Sequence, residues 1–206
     1  MEYTLIAPCY FGTESVLNYE IKKIGGRDID VSDGRIIFKG DENTIAAANI
    51  NLRTAERVLI LLKEFKATDF DRLFDGIFSI DWKSILPLDA EFPVKGSSLS
   101  STLSSVPACQ KIIKKSIVEK MRKQYRESLL PENGDLYKIR FSIRKDIVSI
   151  MLDTSGDGLH KRGYRRNSGE APIKETLAAA IVDLARIRDD SLVQDPFCGS
   201  GTLLIE

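Results

Sequence analysis

The chain has 206 residues, 43% of them apolar, with 30 Lys and Arg balanced by 30 Asp and Glu; this is ordinary globular composition, with room for one large or two small domains. The zero formal charge excludes a binder that attracts nucleic acid through its global field, so any basic footprint has to be local. Cys9, Cys109 and Cys198 form no CxxC pair and His160 is the only histidine, which argues against a zinc ribbon, a disulfide framework or a multi-histidine metal centre.

The N-terminus MEYTLIAPCYFGTES carries an acid where a signal peptide needs basic residues, and its apolar stretch is too short to span a membrane. A cytoplasmic, metal-free protein is expected. YTLIAP reads as a strand and GTESVLNYEIKKIGG as a helix, with Val16, Leu17, Ile21 and Ile24 at helical spacing and Gly25-Gly26 as its stop. DIDVSDGRIIFKG is a hairpin, with Asp33-Gly34 expected to supply the positive dihedrals of a tight turn. A helix over 41–51 and an apolar strand at Val58 to Leu62 complete a βαββαβ order over residues 1–65, the ferredoxin-like arrangement.

A second unit is expected over 66–154. TDFDRLFDGIFSIDW is an amphipathic helix with Asp69 and Asp71 in its first turn. After Pro87 come a short strand, a serine-rich turn and a long helix opened by Pro107, whose buried face carries Cys109, Ile112, Ile113, Ile117 and Met121. In the closing hairpin, LYKIRFSI and IVSIMLD, Tyr137, Ile139, Phe141 and Ile143 alternate with Lys138, Arg140, Ser142 and Arg144, giving one apolar and one basic face. Residues 155–170 lack apolar periodicity and read as a linker. From 171 a helix starting at Pro172 presents Ile173, Leu177, Ile181 and Leu184 on one face, and Leu192 and Val193 end a buried parallel strand.

That strand feeds DPFCGSGT, residues 195–202. Gly199 and Gly201 let the backbone turn sharply and approach a ligand, and Thr202 opens a helix whose free amides face the loop. No Lys follows the glycines, so the P-loop pattern fails, and Leu204 fills the third glycine position of the dinucleotide fingerprint. A sulfonium cofactor with an amino acid tail needs an acid and backbone polar groups; Asp195 and the Gly199 and Gly201 amides supply both. The plainer alternative is that Asp195 caps a turn. Phe197 reads equally as a cofactor wall or as core, and Cys198, with no histidine to activate it, reads as a packing residue. His160 reads as a solvated linker residue.

Three basic features point to phosphate contact. The helix over 107–126 carries Lys111, Lys114, Lys115, Lys120, Arg122, Lys123 and Arg126 against Glu119 alone. Arg140 lies on the basic hairpin face. In KRGYRR, Lys161, Arg162, Arg165 and Arg166 surround Tyr164, a stacking platform. A solvated helix face is the alternative for the first of these.

DPFCGSGT resembles motif I of Rossmann-type S-adenosylmethionine methyltransferases, in the variant of those that methylate exocyclic amines of nucleobases. FPVKGSSLSSTLSSVPACQKIIKKSIVEKM resembles the THUMP domain, an RNA-binding module. Together with LHKRGYR and EAPIKETLAAA, the chain resembles the THUMP-containing RNA guanine-N2 methyltransferases, bacterial large-subunit ribosomal RNA group. The resemblance implies a mixed α/β and α+β fold: a ferredoxin-like domain, a THUMP domain, and from residue 171 the start of a Rossmann-type methyltransferase domain. It further implies S-adenosyl-L-methionine as cofactor and RNA as partner, ribosomal ahead of transfer RNA. The implied cofactor residues are Asp195, Pro196, Phe197, Cys198, Gly199, Gly201 and Thr202, with Ala171 and Ile173 from the motif X segment. The RNA contacts expected from the three basic features are Lys111, Lys114, Lys115, Arg122, Arg140, Arg162, Tyr164 and Arg165. The family's Asn/Asp-Pro-Pro-aromatic motif, which grips the target amine, does not occur in these residues. No catalytic residue is therefore named, and the 206-residue chain alone is expected to be inactive.

Overall fold

The computed structural model describes residues 1–164, 172–188 and 190–206. In chain order its elements are β1 (Tyr3–Pro8), α1 (Glu14–Lys23), β2 (Arg27–Ser32), β3 (Arg35–Gly40), α2 (Glu42–Asn51), β4 (Leu59–Lys66), α3 (Phe70–Phe78), a 3-10 turn at Trp82–Ser84, β5 (Val94–Leu99), α4 (Val106–Tyr125), β6 (Ile139–Arg144), β7 (Ile147–Asp153), α5 (Glu175–Leu184) and α6 (Thr202–Ile205). They form two compact units: Met1–Leu59 with Thr154–Glu206, and Ile60–Asp153.

In the first unit β3 lies between β1 and β2, antiparallel to both, with β1 in register from Tyr3 opposite Gly40 to Pro8 opposite Arg35. Leu5, Ile36 and Phe38 of the sheet and Val16, Leu17 and Ile21 of α1 are buried, the helical spacing read from sequence. Gly26 fits there because a Cβ would sit 2.4 Å from Ile21 Cγ2. In the turn between β2 and β3 Gly34 takes a positive φ, +71°; Asp33 does not, so the turn differs from the doubly left-handed one expected. The Gly34 amide instead donates to Glu14 Oε1 at 2.8 Å, pinning the turn to α1 and holding the Glu14 carboxyl below its usual range. Asp41 caps α2 by accepting the Thr44 amide at 2.8 Å.

The second unit orders its strands β4-β7-β6-β5. β6 and β7 form the antiparallel hairpin, while β5 runs parallel to β6, from Val94 opposite Ile139 to Leu99 opposite Arg144, and reaches it through α4. Its core joins Leu73 and Ile77 of α3, Cys109, Ile113, Ile117 and Met121 of α4, and Ile139, Phe141 and Ile143 of β6 around Trp82 and Phe92. Ile112 only packs on the edge of this core. The Trp82 indole donates to Ile77 O at 3.0 Å, so the largest buried side chain leaves no polar atom unmet. The turn between β6 and β7 places both Lys145 and Asp146 at positive φ, +50° and +64°. Asp146 Oδ1 accepts the Thr102 amide at 2.7 Å and its own amide donates to Ser101 Oγ at 3.1 Å, so the serine-rich loop holds this turn.

Two expectations for the C-terminal stretch are corrected. α5 starts at Glu175 rather than Pro172 and buries Thr176, Ala178, Ala179 and Ala180, whereas Ile181 and Leu184 are 42% and 55% exposed. Small side chains admit the closer approach that seats the helix, and the bulky face points outward. Leu192 and Val193 lie in no strand, and Leu192 is 96% exposed: a parallel strand exists only through its ladder, and none of the described strands provides one. The linker reading also changes. Thr154 N donates to Val58 O at 3.1 Å, Val58 N to Ser155 Oγ at 2.8 Å and Leu159 N to Glu56 O at 3.0 Å, so hydrogen bonds without apolar periodicity fasten residues 154–159 to the first unit.

Candidate functional site

Residues Asp195 to Thr202 form an exposed turn leading into α6. Asp195 Oδ1 accepts the Phe197 amide at 2.9 Å, closing a side-chain turn at the entrance. Gly201 N donates to Cys198 O at 2.7 Å. Gly199 and Gly201 sit at φ +52° and +72°, left-handed values that glycine takes at little cost. A Cβ on Gly201 would meet nothing within 4 Å, and one on Gly199 only Phe197 O at 4.0 Å. The glycines thus serve conformation, and the space above the loop is open. The amides of Cys198, Gly199 and Ser200 have no partner among the described residues. Thr202 is buried and opens α6, with the Leu204 and Ile205 amides returning to Gly201 O at 3.0 Å.

Pro196, Phe197 and Cys198 are exposed, Phe197 by 92%. The packing expected of Cys198 is not found, because the loop stands off the body of its unit. Neither is Phe197 core. Ile173 is half-buried just before α5, which lies against α6; Ala171 falls outside the described residues.

Behind the loop stands a cluster that sequence reasoning missed. The Glu206 side chain, 2% exposed, accepts Arg162 Nε at 2.7 Å and the Tyr164 hydroxyl at 2.9 Å on Oε1, and Arg53 Nη2 at 3.0 Å on Oε2. Burial pushes its carboxyl up, but the hydrogen bonds from Arg162, Arg53 and Tyr164 outweigh burial and hold it below the usual range. Arg162 also donates to Arg53 O at 2.6 Å and Leu159 O at 3.2 Å. A phosphate role for Arg162 and a stacking role for Tyr164 find no support in this inward arrangement. Arg165 falls outside the described residues. No spacing rule would have paired Arg53 with a residue 153 positions away; only the apolar-then-acidic end LLIE hinted that Glu206 turns inward.

Glu56 is a second hub. Its carboxylate accepts the Thr176 hydroxyl and lies 3.5 Å from Lys174 Nζ and 3.8 Å from His160 Nδ1. His160 is 29% exposed, and its buried Nδ1 has no hydrogen-bond partner among the described residues. It is packed rather than solvated.

In the second unit Lys114 departs from its expected outward role. Its ammonium is 2.6 Å from Glu132 Oε2, donates to Phe92 O at 3.2 Å and lies 3.4 Å from the Phe92 ring centroid. Arg140 Nε pairs with the fully buried Asp153 carboxylate at 3.2 Å. Lys111 and Arg122 are exposed with no ion pair among the described residues, and Lys115, 66% exposed, meets Glu119 at 3.7 Å. These three share a helix face, and Lys111, Lys114 and Lys115 with Pro93, Val94 and Gln110 line a shallow groove of about 590 Å³. Among the described residues there is no metal-binding cluster and no helix long and apolar enough to cross a membrane.

Three family models match in order: the RlmL ferredoxin-like domain over residues 4–59, the THUMP domain over 67–153 and the RMKL-like methyltransferase domain over 162–206. A Bacillus subtilis protein named "Putative RNA methyltransferase YpsC" is 48% identical over 207 residues, covering 100% of this chain and 54% of its own. A Listeria monocytogenes structure described as "a predicted N6-adenine-specific DNA methylase" is 48% identical with TM-score 0.92, covering 100% of this chain and 54% of its own. The structure of SMU.472, "a putative methyltransferase complexed with SAH", is 44% identical with TM-score 0.90, over 99% of this chain and 54% of its own. This chain thus spans about half the length of these relatives. Matched in that order along its length are an RlmL ferredoxin-like domain, a THUMP domain and the opening of an RMKL-like methyltransferase domain, the domain order that makes the chain similar to THUMP-containing, RlmL-like methyltransferases.

Proposed function

We propose that the protein is a cytoplasmic S-adenosylmethionine-dependent methyltransferase acting on the exocyclic N2 amine of a guanine in RNA, large-subunit ribosomal RNA ahead of transfer RNA. The observation that carries this reading is the glycine turn, with two left-handed glycines, open space above them and unpartnered amides at Cys198, Gly199 and Ser200. The residues fit the cofactor. Asp195 keeps its second carboxylate oxygen for an ammonium group, the loop amides face polar portions of a ligand, and Phe197 supplies an apolar surface. When bound, S-adenosylmethionine supplies an electrophilic methyl on its sulfonium, open to direct attack by an amine nitrogen. The chain's own part is to bind and orient by positioning and electrostatics. RNA is supported by the THUMP match and by the Lys111, Lys115 and Arg122 face; guanine N2 rests on the joint resemblance of DPFCGSGT, HKRGYR and APIKETLA.

In the natural-length protein Asp195→Ala is expected to abolish tritiated methyl incorporation while RNA retention stays intact. Full methyl transfer by this variant would sink the assignment, and a DNA duplex run alongside decides between nucleic acids. A second reading, an RNA-binding module without activity of its own, is supported by the THUMP match over residues 67–153. Calorimetry of the chain with S-adenosylmethionine is expected to show weak binding or none, and submicromolar affinity would overturn that reading.

A further inference from the structure

Residues 53–57 lie in the ferredoxin-like stretch, yet their polar groups reach both helices that flank the glycine turn. Arg53 donates to Glu206, one residue past α6, and its carbonyl takes the Arg162 guanidinium. Three residues on, Glu56 takes the Thr176 hydroxyl in the first turn of α5 and lies 3.5 Å from the Lys174 ammonium. The Glu56 main chain adds two more ties, its amide donating to Pro8 O at 2.8 Å and its carbonyl accepting Leu159 N at 3.0 Å. Short polar spans therefore run from the end of β1 to the beginning of α5 and to the end of α6.

We propose that Arg53, Glu56 and Arg162 are positioning residues for the cofactor turn: they clamp α5 and α6 to the ferredoxin-like domain and so set Gly199 to Thr202 in place. The inference rests on reading that turn as the cofactor site. A carboxylate as buried as Glu206 is stable only while its donors stay in place, so α6 cannot shift without unpairing Arg53, Arg162 and Tyr164 together. The placement of α6, and of the glycines just before it, is tied to these side chains. The same geometry explains why Arg162 and Tyr164, which read as parts of an RNA platform, point inward instead.

The test uses the natural-length protein with Arg162→Met, Glu206→Gln, the two combined, and Glu56→Gln. S-adenosylhomocysteine affinity is measured by calorimetry, RNA affinity by filter retention, and Tm by calorimetric scan. Each single variant is expected to weaken S-adenosylhomocysteine binding by roughly 2- to 30-fold, the scale of coupling through packed intermediaries. RNA affinity is expected to be unchanged, and the double variant to lose less Tm than the two singles summed. Unchanged S-adenosylhomocysteine affinity in Arg162→Met and Glu56→Gln would overturn the clamp, and loss of RNA alone would return Arg162 to phosphate contact. If the unaltered protein binds no S-adenosylhomocysteine, the cofactor reading fails instead. The clamp is then decided by Tm, where additive losses from Arg162→Met and Glu206→Gln would refute it.

Discussion

Lys114 lays its stem along Phe92 and aims its ammonium at Glu132 and a buried-edge carbonyl, whereas Lys111, one turn earlier, is exposed and makes no ion pair among the described residues. Residue type was legible in the sequence at both positions and partner was not, because Glu132 arrives from a loop with no periodic signal. Lys114→Met is expected to cost about 1 kcal/mol in urea unfolding, since a partly exposed ion pair with one good hydrogen bond contributes on that scale. Lys111→Met should leave the urea midpoint alone and weaken RNA retention. Glu206 adds a pH test. Its carboxyl is depressed in the folded chain, so its stabilisation is present above the unfolded value of about 4.3 and disappears as pH falls through the folded value. The Tm difference between the unaltered chain and Glu206→Gln should therefore shrink below about pH 4. A difference that grows there would refute the depressed carboxyl.

Elements with one buried face were read well, and those whose partners lie far along the chain were not. β6 alternates as expected because Ile139, Phe141 and Ile143 face one core; α5 turned its alanines inward because closeness of approach, not bulk, selects its face. Gly96 on β5 belongs to the same packing argument, as a Cβ there would sit 2.1 Å from Phe141 O. Gly96→Ala should cost roughly 2–3 kcal/mol in urea unfolding, in line with overpacking against backbone. The Lys145-Asp146 turn offers the opposite sign. Lys145 pays for a left-handed φ of +50°, so Lys145→Gly should gain roughly 0.5–1 kcal/mol. Asp146→Gly should gain nothing, because it forfeits the bond to the Thr102 amide.

Across the whole molecule, the order of domains was visible in sequence motifs, but the joining of the first 59 residues with those after Asp153 was not, since it includes hydrogen bonds of the Val58 main chain to Thr154 N and Ser155 Oγ that carry no sequence pattern. Charge behaves differently at this scale. With a formal net charge of zero, the RNA binding proposed above has no global attraction to draw on and would depend on a few local contacts. Three phosphate contacts from Lys111, Lys115 and Arg122 would give a slope of log affinity against log salt of about −2 to −3. A slope near zero would remove phosphates from the account.

The hydrogen-bonded neck at Val58 and Thr154 has a consequence for how the protein is made. Everything between those residues is a cassette: it enters and leaves the first unit at one place, so a ribosome delivers it whole before the second half of its host has emerged. The cassette should therefore fold while residues 1–59 still lack their complement, and the host should close last. By the same logic, a short Gly-Ser joint between Val58 and Ser155 should replace the cassette at a modest chain-entropy cost, leaving a smaller protein in which Arg53 still meets Glu206.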